Sequence, residues 1–592
     1  MTTLVDMLSR LTVPDLKPLA AWLPEASPSG RKDDLIATIV RGLSADGLRR
    51  LWADLDDLQR LAVAETLHAE DGVFDDDLFR AKYGRLPEFA AKADYGRAGK
   101  PTRLALFLFV DHRHLCVPME LRPALKAFVP QPEPARIPSL DTLPPAVGEV
   151  PLTARLTERD ALVDLAVMLR LTDQGRIQVS DKTSLPTAST LRLLTGSLAG
   201  GDFYGDVRGD DGRAVGHRQQ VGPIKAFAWP MLLQAASLAQ RKGSKLSLSR
   251  AGLKAMGSAP EGVLRTIWQD WVQSDLLDEF NRIDTIKGQK ARGRVLSAVE
   301  PRREAICGAL ESCPVGAWVT VEAFSRFMRA SGHRFEVTRD PWKLYIGEAQ
   351  YGSLGYQGSH DWSLLQRRYL LCLLFEYAAT LGMVDVAYIP PGQAPSDFGD
   401  LWGTDDLDFL SRYDGLSFFR LTPLGAYCLG MSERYARAAP LGRIRLSVLP
   451  SLQVTVVEGE PSMEEALTLE TWCVQEAPGN WRLDRQRAIA AAERGHGLDE
   501  LHEFLQSRDE QPLPPPVESF IAACSRNSTA LKIAGTALLI ECVDERTAEF
   551  VAGHKLNTGL CERVGERRLV VRREHEEKFR ALARTLGLGM PG

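Results

Sequence analysis

The sequence predicts an α+β fold that is predominantly helical and divided into several domains. Three observations lead there. Apolar residues recur at helical spacing through the first 128 positions, as at Leu48, Leu51, Trp52, Leu55, Leu58, Leu61 and Ala62. Prolines cluster at Pro130, Pro132, Pro134, Pro138, Pro144 and Pro145, and again at Pro512, Pro514, Pro515 and Pro516, where neither helix nor central strand is sustained. Beyond the first cluster, short strands and helices mix without strict β-α-β alternation, which argues against a doubly wound sheet.

Taken in order, residues 1–45 read as two short amphipathic helices joined by a Pro/Ser/Gly loop, and 46–128 as a helical domain. Residues 129–150 are the Pro-rich linker. Within 151–260 a helix at 160–171 leads to a short strand at 175–179, a polar turn and a helix at 187–198. That order suggests a winged-helix-like unit. Residues 261–340 offer a second, with helices at 260–271 and 301–310 and an aromatic-bearing segment at 318–328. Residues 341–440 form a helical and wing segment. Its apolar run at 369–386 is interrupted by Glu376 and Asp385, so it reads as a buried helix running into a strand, not a membrane span. The tail Phe418-Phe419-Arg420-Leu421-Thr422-Pro423-Leu424-Gly425 reads as a wing strand closed by a helix start.

Residues 441–592 form a C-terminal mixed α+β domain. Alternation over 443–457 predicts one strand. Helices are expected at 462–473, 484–494, 498–506, 517–525 and near 545–552. Strands are expected near 531–533, 537–543 and 567–571, before a terminal helix.

The bulk composition is that of a globular protein, with 44% apolar and 25% charged residues among 592, enough for roughly three to five ordinary cores. The net charge of −5 removes any whole-molecule attraction for nucleic acid, so DNA contact must come from local basic patches. The nine cysteines are widely scattered with no C-x-x-C pair, as expected of reduced thiols in a cytoplasmic protein. No secretory signal pattern opens the chain, and no membrane partner is expected.

Three segments are candidates for binding. Leu11-Thr12-Val13-Pro14-Asp15-Leu16-Lys17-Pro18-Leu19 is followed by Ser29-Gly30-Arg31-Lys32-Asp33-Asp34-Leu35-Ile36. Val13, Leu16, Leu19, Leu35 and Ile39 can close a miniature core, leaving Ser29, Gly30, Arg31 and Lys32 at the start of the second helix to meet a phosphate. This pair resembles the SAP motif, a helix–loop–helix that binds duplex DNA, although Asp33 and Asp34 dilute its charge. The alternative is a plain helical hairpin with Ser29 as a cap. The second segment is the turn after residues 175–179, where Lys182 and Thr183 can face a DNA backbone or simply form a surface turn. The third runs from Asn281 to Arg303 and holds seven Lys/Arg against two acids. Lys287, Gln289, Lys290, Arg292 and Arg294 there can follow a phosphate backbone, or form a solvated loop.

Other motifs carry less. Gly96-Arg97-Ala98-Gly99-Lys100-Pro101-Thr102 lacks the phosphate-loop spacing, and Pro101 displaces the hydroxyl residue. Asp405, Asp406 and Asp408, with His360 and Asp361, lack nuclease spacing, and the three aspartates are expected to cap a helix before residues 407–410. Tyr345, Tyr351, Tyr356 and Trp362 can stack on bases or pack a glycine-rich loop. His217, His333 and His496 have no partners at metal-ligand spacing, so no metal, cofactor or catalytic residue is assigned.

The C-terminal third carries a further resemblance. Leu446-Ser447-Val448-Leu449-Pro450-Ser451-Leu452-Gln453-Val454-Thr455-Val456 is followed by Trp481-Arg482-Leu483-Asp484, Ala488, Gly495-His496-Gly497-Leu498-Asp499-Glu500-Leu501, Phe504-Leu505 and Pro512-Leu513-Pro514. This succession resembles the helicase-associated domain shared with the non-motor N-terminal region of XPB/Ssl2 repair helicases. Lys245-Leu246-Ser247-Leu248-Ser249-Arg250-Ala251-Gly252-Leu253 and Arg420-Leu421-Thr422-Pro423-Leu424-Gly425 look like wing-and-helix signatures of that group. The sequence has no Walker A motif and no D-E-x-H box, so ATPase activity is not carried over. The resemblance implies a non-catalytic, DNA-binding accessory protein that positions a separate helicase or ATPase subunit, in DNA repair or defence against foreign DNA. The alternatives are a protein–protein scaffold without DNA contact and a metal-dependent nuclease built on the 397–408 acids.

Overall fold

A computed structural model describes residues 3–24, 30–90, 99–204, 221–289, 295–357, 362–435 and 444–590. About 45% of the chain is helix and 15% strand, in several small sheets with no barrel, so helix dominates a mixed fold as the sequence predicts. The chain divides into two compact units, Met1–Gly442 with Pro461–Thr468, and Arg443–Glu460 with Leu469–Gly592.

The first unit opens on the helices Leu4–Arg10, Val13–Ala20 and Lys32–Gly42. The first two start in capping boxes, in which Thr3 and Thr12 pair reciprocally with Asp6 and Asp15 three residues on. Leu16, Leu19, Leu35 and Ile39 are buried as expected, and Val13 packs half-buried against them. They do not close a separate miniature core. Leu48, Leu51, Leu67, Phe79, Phe107 and Leu125 belong to the same cluster, so 1–45 and the following helices share one interior. That region also contains a hairpin that helical periodicity did not suggest, Phe109–Asp111 against His114–Cys116. His112 and Arg113 both take positive φ, 46° and 81°, as the type I′ hairpin turn requires, a turn that Asn-Gly would normally signal.

The Pro-rich stretch is docked. The Leu140 and Trp318 backbones exchange hydrogen bonds of 2.8 and 2.9 Å, and Leu143 and Val147 pack on Trp318, Ala387 and Phe418. Trp318–Thr320 is one edge of an antiparallel sheet whose other strands, in order outward, are Leu416–Leu421, Val384–Tyr388 and Thr153–Arg155. The segments read as 151–260, 261–340 and 341–440 therefore contribute strands to one sheet and side chains to one core, from Ala161 to Cys428. The apolar run near 369–386 is the expected buried helix and strand. Gln366–Cys372 continues through a π-helical turn, Leu373–Ala378, into the buried strand Val384–Tyr388. Among the described residues no helix is long and apolar enough to cross a membrane.

In the second unit the strand expected over 443–457 is two. Arg445–Val448 and Gln453–Glu458 pair across a turn where Leu452 takes φ 68°. Asn480–Leu483 and Cys473–Ala477 complete that four-stranded sheet, covered by Arg485–Arg494, Leu498–Gln506 and Pro515–Ser528. A three-stranded sheet follows, with Arg568–Arg572 between Ala537–Glu541 and Cys561–Arg563, packed on Glu545–Gly553 and Glu576–Thr585. Residues 531–533 form no strand, because Leu531 and Ile533 find no sheet neighbour and stand exposed.

Candidate nucleic-acid interface

The three candidate segments meet different fates. Ser29 lies outside the described residues. Gly30 is half-exposed, and Arg31 is exposed at the cap of Lys32–Gly42, its backbone N–H donating to Asp34 at 3.3 Å. Lys32 is engaged elsewhere, since its Nζ donates to the Ser9 carbonyl at 2.6 Å and ties this helix to the first. Exposed Asp33 and Asp34 stand beside Arg31, so the helix start presents little net positive charge.

In the 281–303 segment, counting cations along the chain misleads. Arg282, Arg302 and Arg303 point into the protein. The Arg282 guanidinium clasps Glu376 through Nε at 2.8 and 3.1 Å and Nη2 at 2.9 Å, and lies 3.5 Å over the Phe227 ring. Arg302 makes a two-pronged contact with Asp278 at 2.9 and 2.8 Å. Arg303 donates to Glu279 at 2.7 Å, and the Tyr369 hydroxyl donates to the same carboxylate at 2.6 Å. Burial by itself pushes the Arg282 and Arg303 pKa values down, but the facing carboxylates and the neighbouring tyrosines together raise them, so both stay charged. Gln289 also turns inward, with Nε2 donating to the carbonyls of Phe280, Ile283 and Ile286. Lys287 is exposed on the short strand Ile286–Lys287, paired with Tyr345–Ile346. Lys290, Arg292 and Arg294 lie outside the described residues.

Lys182 and Thr183 are exposed at the crown of a tight turn. Their backbone N–H groups both donate to Ser180 Oγ at 3.3 Å, and Ser184 takes φ 59° to close it. This turn lies within the first unit, in a succession of elements over 158–248. Helix Glu158–Asp173 is followed by residues 177–179, helix Ala188–Ser197, helix Lys225–Ala235 and a hairpin, Ala239–Lys242 with Lys245–Leu248. Residues 177–179 adjoin the hairpin through a single antiparallel bridge, Gln178 to Lys245. Leu246 N–H donates to Ile177 O, and Val179 N–H to Ser244 O, each at 2.9 Å. Gly243, at φ 61°, leads the two-residue turn, a conformation glycine adopts without strain.

Helix Lys225–Ala235 is the third helix of this succession, and it is not available to any ligand. Ala226, Phe227, Trp229, Met231, Leu232 and Leu233 are all buried, on every side of the helix. Lys225 itself is buried and bonds Asp164 at 2.6 Å. What remains accessible is the hairpin, where Arg241, Lys242 and Lys245 are exposed beside Arg176 and Lys182. This group was not legible as one patch, because its two halves, Arg176 with Lys182 and Arg241 with Lys242 and Lys245, lie dozens of positions apart. The register of residues 177–179 on the hairpin brings them together.

The aromatic and acidic candidates do not assemble. Trp362 donates Nε1 to Ser325 Oγ at 2.6 Å and packs on Phe335. Tyr345 is half-buried, and Tyr351 stands exposed with its ring against Gly403. Asp405, Asp406 and Asp408 precede no helix, since 405–410 is a run of turns and bends, and His360 and Asp361 lie outside the described residues. Among the described residues no group of three or more His, Cys, Asp or Glu side chains is placed to hold a metal. No family model and no curated protein matches this chain.

Proposed function

We propose that this chain is a non-catalytic DNA-binding accessory protein that positions a separate helicase or translocase on DNA, in repair or in defence against foreign DNA. One observation carries the reading. The order helix, bridged segment, helix, helix, hairpin over 158–248 is compatible with a winged-helix-like unit and so supports the reading, and the hairpin and adjoining turn carry exposed cations. Arg31 and Lys287 are exposed and supply further phosphate contacts in this reading. Binding of a labelled duplex by the purified protein, followed as salt is raised, tests it. Phosphate contact predicts a steep loss of affinity with salt. No duplex binding at low salt contradicts it.

A second reading, a scaffold that binds protein, is favoured by the edge strand Ala537–Glu541. Leu539 on that strand and Val543 just past it are exposed apolar residues, and an extended segment of a partner can add to such an edge. The two readings are compatible if the partner is the motor itself. Pull-down of a purified helicase by the wild type and not by Leu539→Lys supports the second, and equal capture by both removes it.

A further inference from the structure

The hairpin register sorts its side chains onto two faces. Leu246 and Leu248 point to the core. Lys245 therefore points outward, and so does its cross-strand partner Lys242. Gln178 bridges Lys245, which places Gln178 on the outer face, and Arg176, two residues earlier and just past the end of the preceding helix, is exposed beside it. The Lys245 side chain lies along Gly175, the residue before Arg176. The remaining outward positions, Gln240 and Ser247, are neutral. Arg176, Lys242 and Lys245 thus form a cationic strip with no carboxylate on its own face. At its margin are Lys182 and Arg241, the latter donating to the Asp181 carbonyl. All five cations are exposed, and among the described residues none of them makes an ion pair. In a chain of net charge −5, carrying five more acidic than basic side chains, such an uncompensated cluster is conspicuous.

We infer that this face, made by the hairpin and the segment bridged to it, is a docking site for the phosphodiester backbone of duplex DNA, and that it grips without reading sequence. The inference rests on the proposed function and names the contact that performs it. Three arguments lead to a duplex backbone. Facing strands stand about 4.8 Å apart and alternate residues about 6.6 Å, so three long cationic side chains converge on a patch small enough for neighbouring phosphates. The outer face carries no aromatic ring, and the stacking platform that single strands need is missing from it. The helix that would enter a major groove in a unit of this order, Lys225–Ala235, is enclosed by the core, so base edges are out of its reach.

The test uses the full chain and three variants. Arg176→Glu/Lys242→Glu/Lys245→Glu reverses the strip. The same three positions changed to Gln remove charge without adding repulsion. Arg31→Glu perturbs only the helix start. Melting temperature checks that each folds. Wild type is expected to bind a labelled duplex with a salt slope that drops by about three, one per lost phosphate contact, in both triple variants. Affinity near about 0.1 M salt is expected to fall about a hundredfold. Unlabelled AT-rich and GC-rich duplexes are expected to compete equally. If wild type binds and both triple variants keep its slope and affinity, the inference is wrong while the proposed function stands, with contact made elsewhere, as a loss in Arg31→Glu would confirm. If wild type does not bind, the proposed function itself fails. A strong preference between the competing duplexes overturns sequence-independent grip. Single-stranded DNA or phosphatidylserine vesicles displacing the label at lower phosphate concentration than duplex overturns the assignment to duplex DNA.

Discussion

Arg282 shows how a cation counted in a basic stretch of sequence is better understood as part of the core. Its guanidinium makes three short hydrogen bonds to Glu376, which is itself fully buried and also accepts from the Tyr413 hydroxyl. Changing Arg282 to Met leaves that carboxylate buried with only Tyr413 as a partner. Removing one member of a buried pair costs about 3–5 kcal/mol, because the survivor keeps its desolvation penalty. Unfolding entropy of about 2.1 cal/mol/K per residue over the roughly 450 residues of the first unit is about 1 kcal/mol/K, so the melting temperature should drop by about 3–5 °C. The double variant Arg282→Met/Glu376→Leu replaces both charges with apolar groups and should recover most of that loss. Differential scanning calorimetry reads both, and duplex affinity, measured in parallel, should be unchanged in the double variant. A single variant that melts like wild type but binds DNA more weakly would refute this reasoning, because it would place Arg282 on the binding surface.

Other expectations follow from the same structure. Asp397 is pushed upward by burial, but the hydrogen bonds and charge of Arg368, with Arg367, hold its carboxyl below the ordinary 3.8. The stability it contributes is present above that value and lost as pH falls through the lowered one, so the melting difference between wild type and Asp397→Asn should shrink below pH 3.8; a difference that grows there contradicts it. Burial raises the thiols of Cys307, Cys313, Cys428 and Cys473 to about 12, so native protein at mildly alkaline pH should leave these four unalkylated while urea exposes them; rapid native labelling would show that the core is open. A methyl on Gly425 would sit 2.1 Å from the Met383 carbonyl, so Gly425→Ala should destabilise by about 1–3 kcal/mol in calorimetry, and wild-type stability would contradict that packing.

Most helices were legible because their apolar spacing and caps are local. Glu158–Asp173, Pro260–Gln273 and Arg485–Arg494 fall within a few positions of where periodicity and caps put them. Short strands were harder. The hairpin at 109–116 turns on His112 and Arg113, which carry no turn signature, and alternation runs through 443–457 without revealing the reversal at Leu452. The candidate site was least legible, for a physical reason. Charge density along the chain does not distinguish a solvated cation from one bonded inside, so Arg282, Arg302 and Arg303 inflated one patch. Conversely, Arg176 is far in sequence from Lys242 and Lys245, and only the bridge from Gln178 to Lys245 gathers them. Spacing along a sequence reports the faces of one element; a face shared by a hairpin and a distant segment depends on pairing, which is a tertiary choice.

Lysine footprinting addresses the strip most directly. Acetylation of the folded protein by an amine-reactive ester, with and without saturating duplex DNA, is read residue by residue by mass spectrometry. Lys242 and Lys245 should be protected in the complex, with Lys182 protected at the margin, while Lys32, already bonded to the Ser9 carbonyl, changes least. Equal acetylation of Lys242 and Lys245 in the free and DNA-saturated protein would contradict the claim that this face holds the duplex.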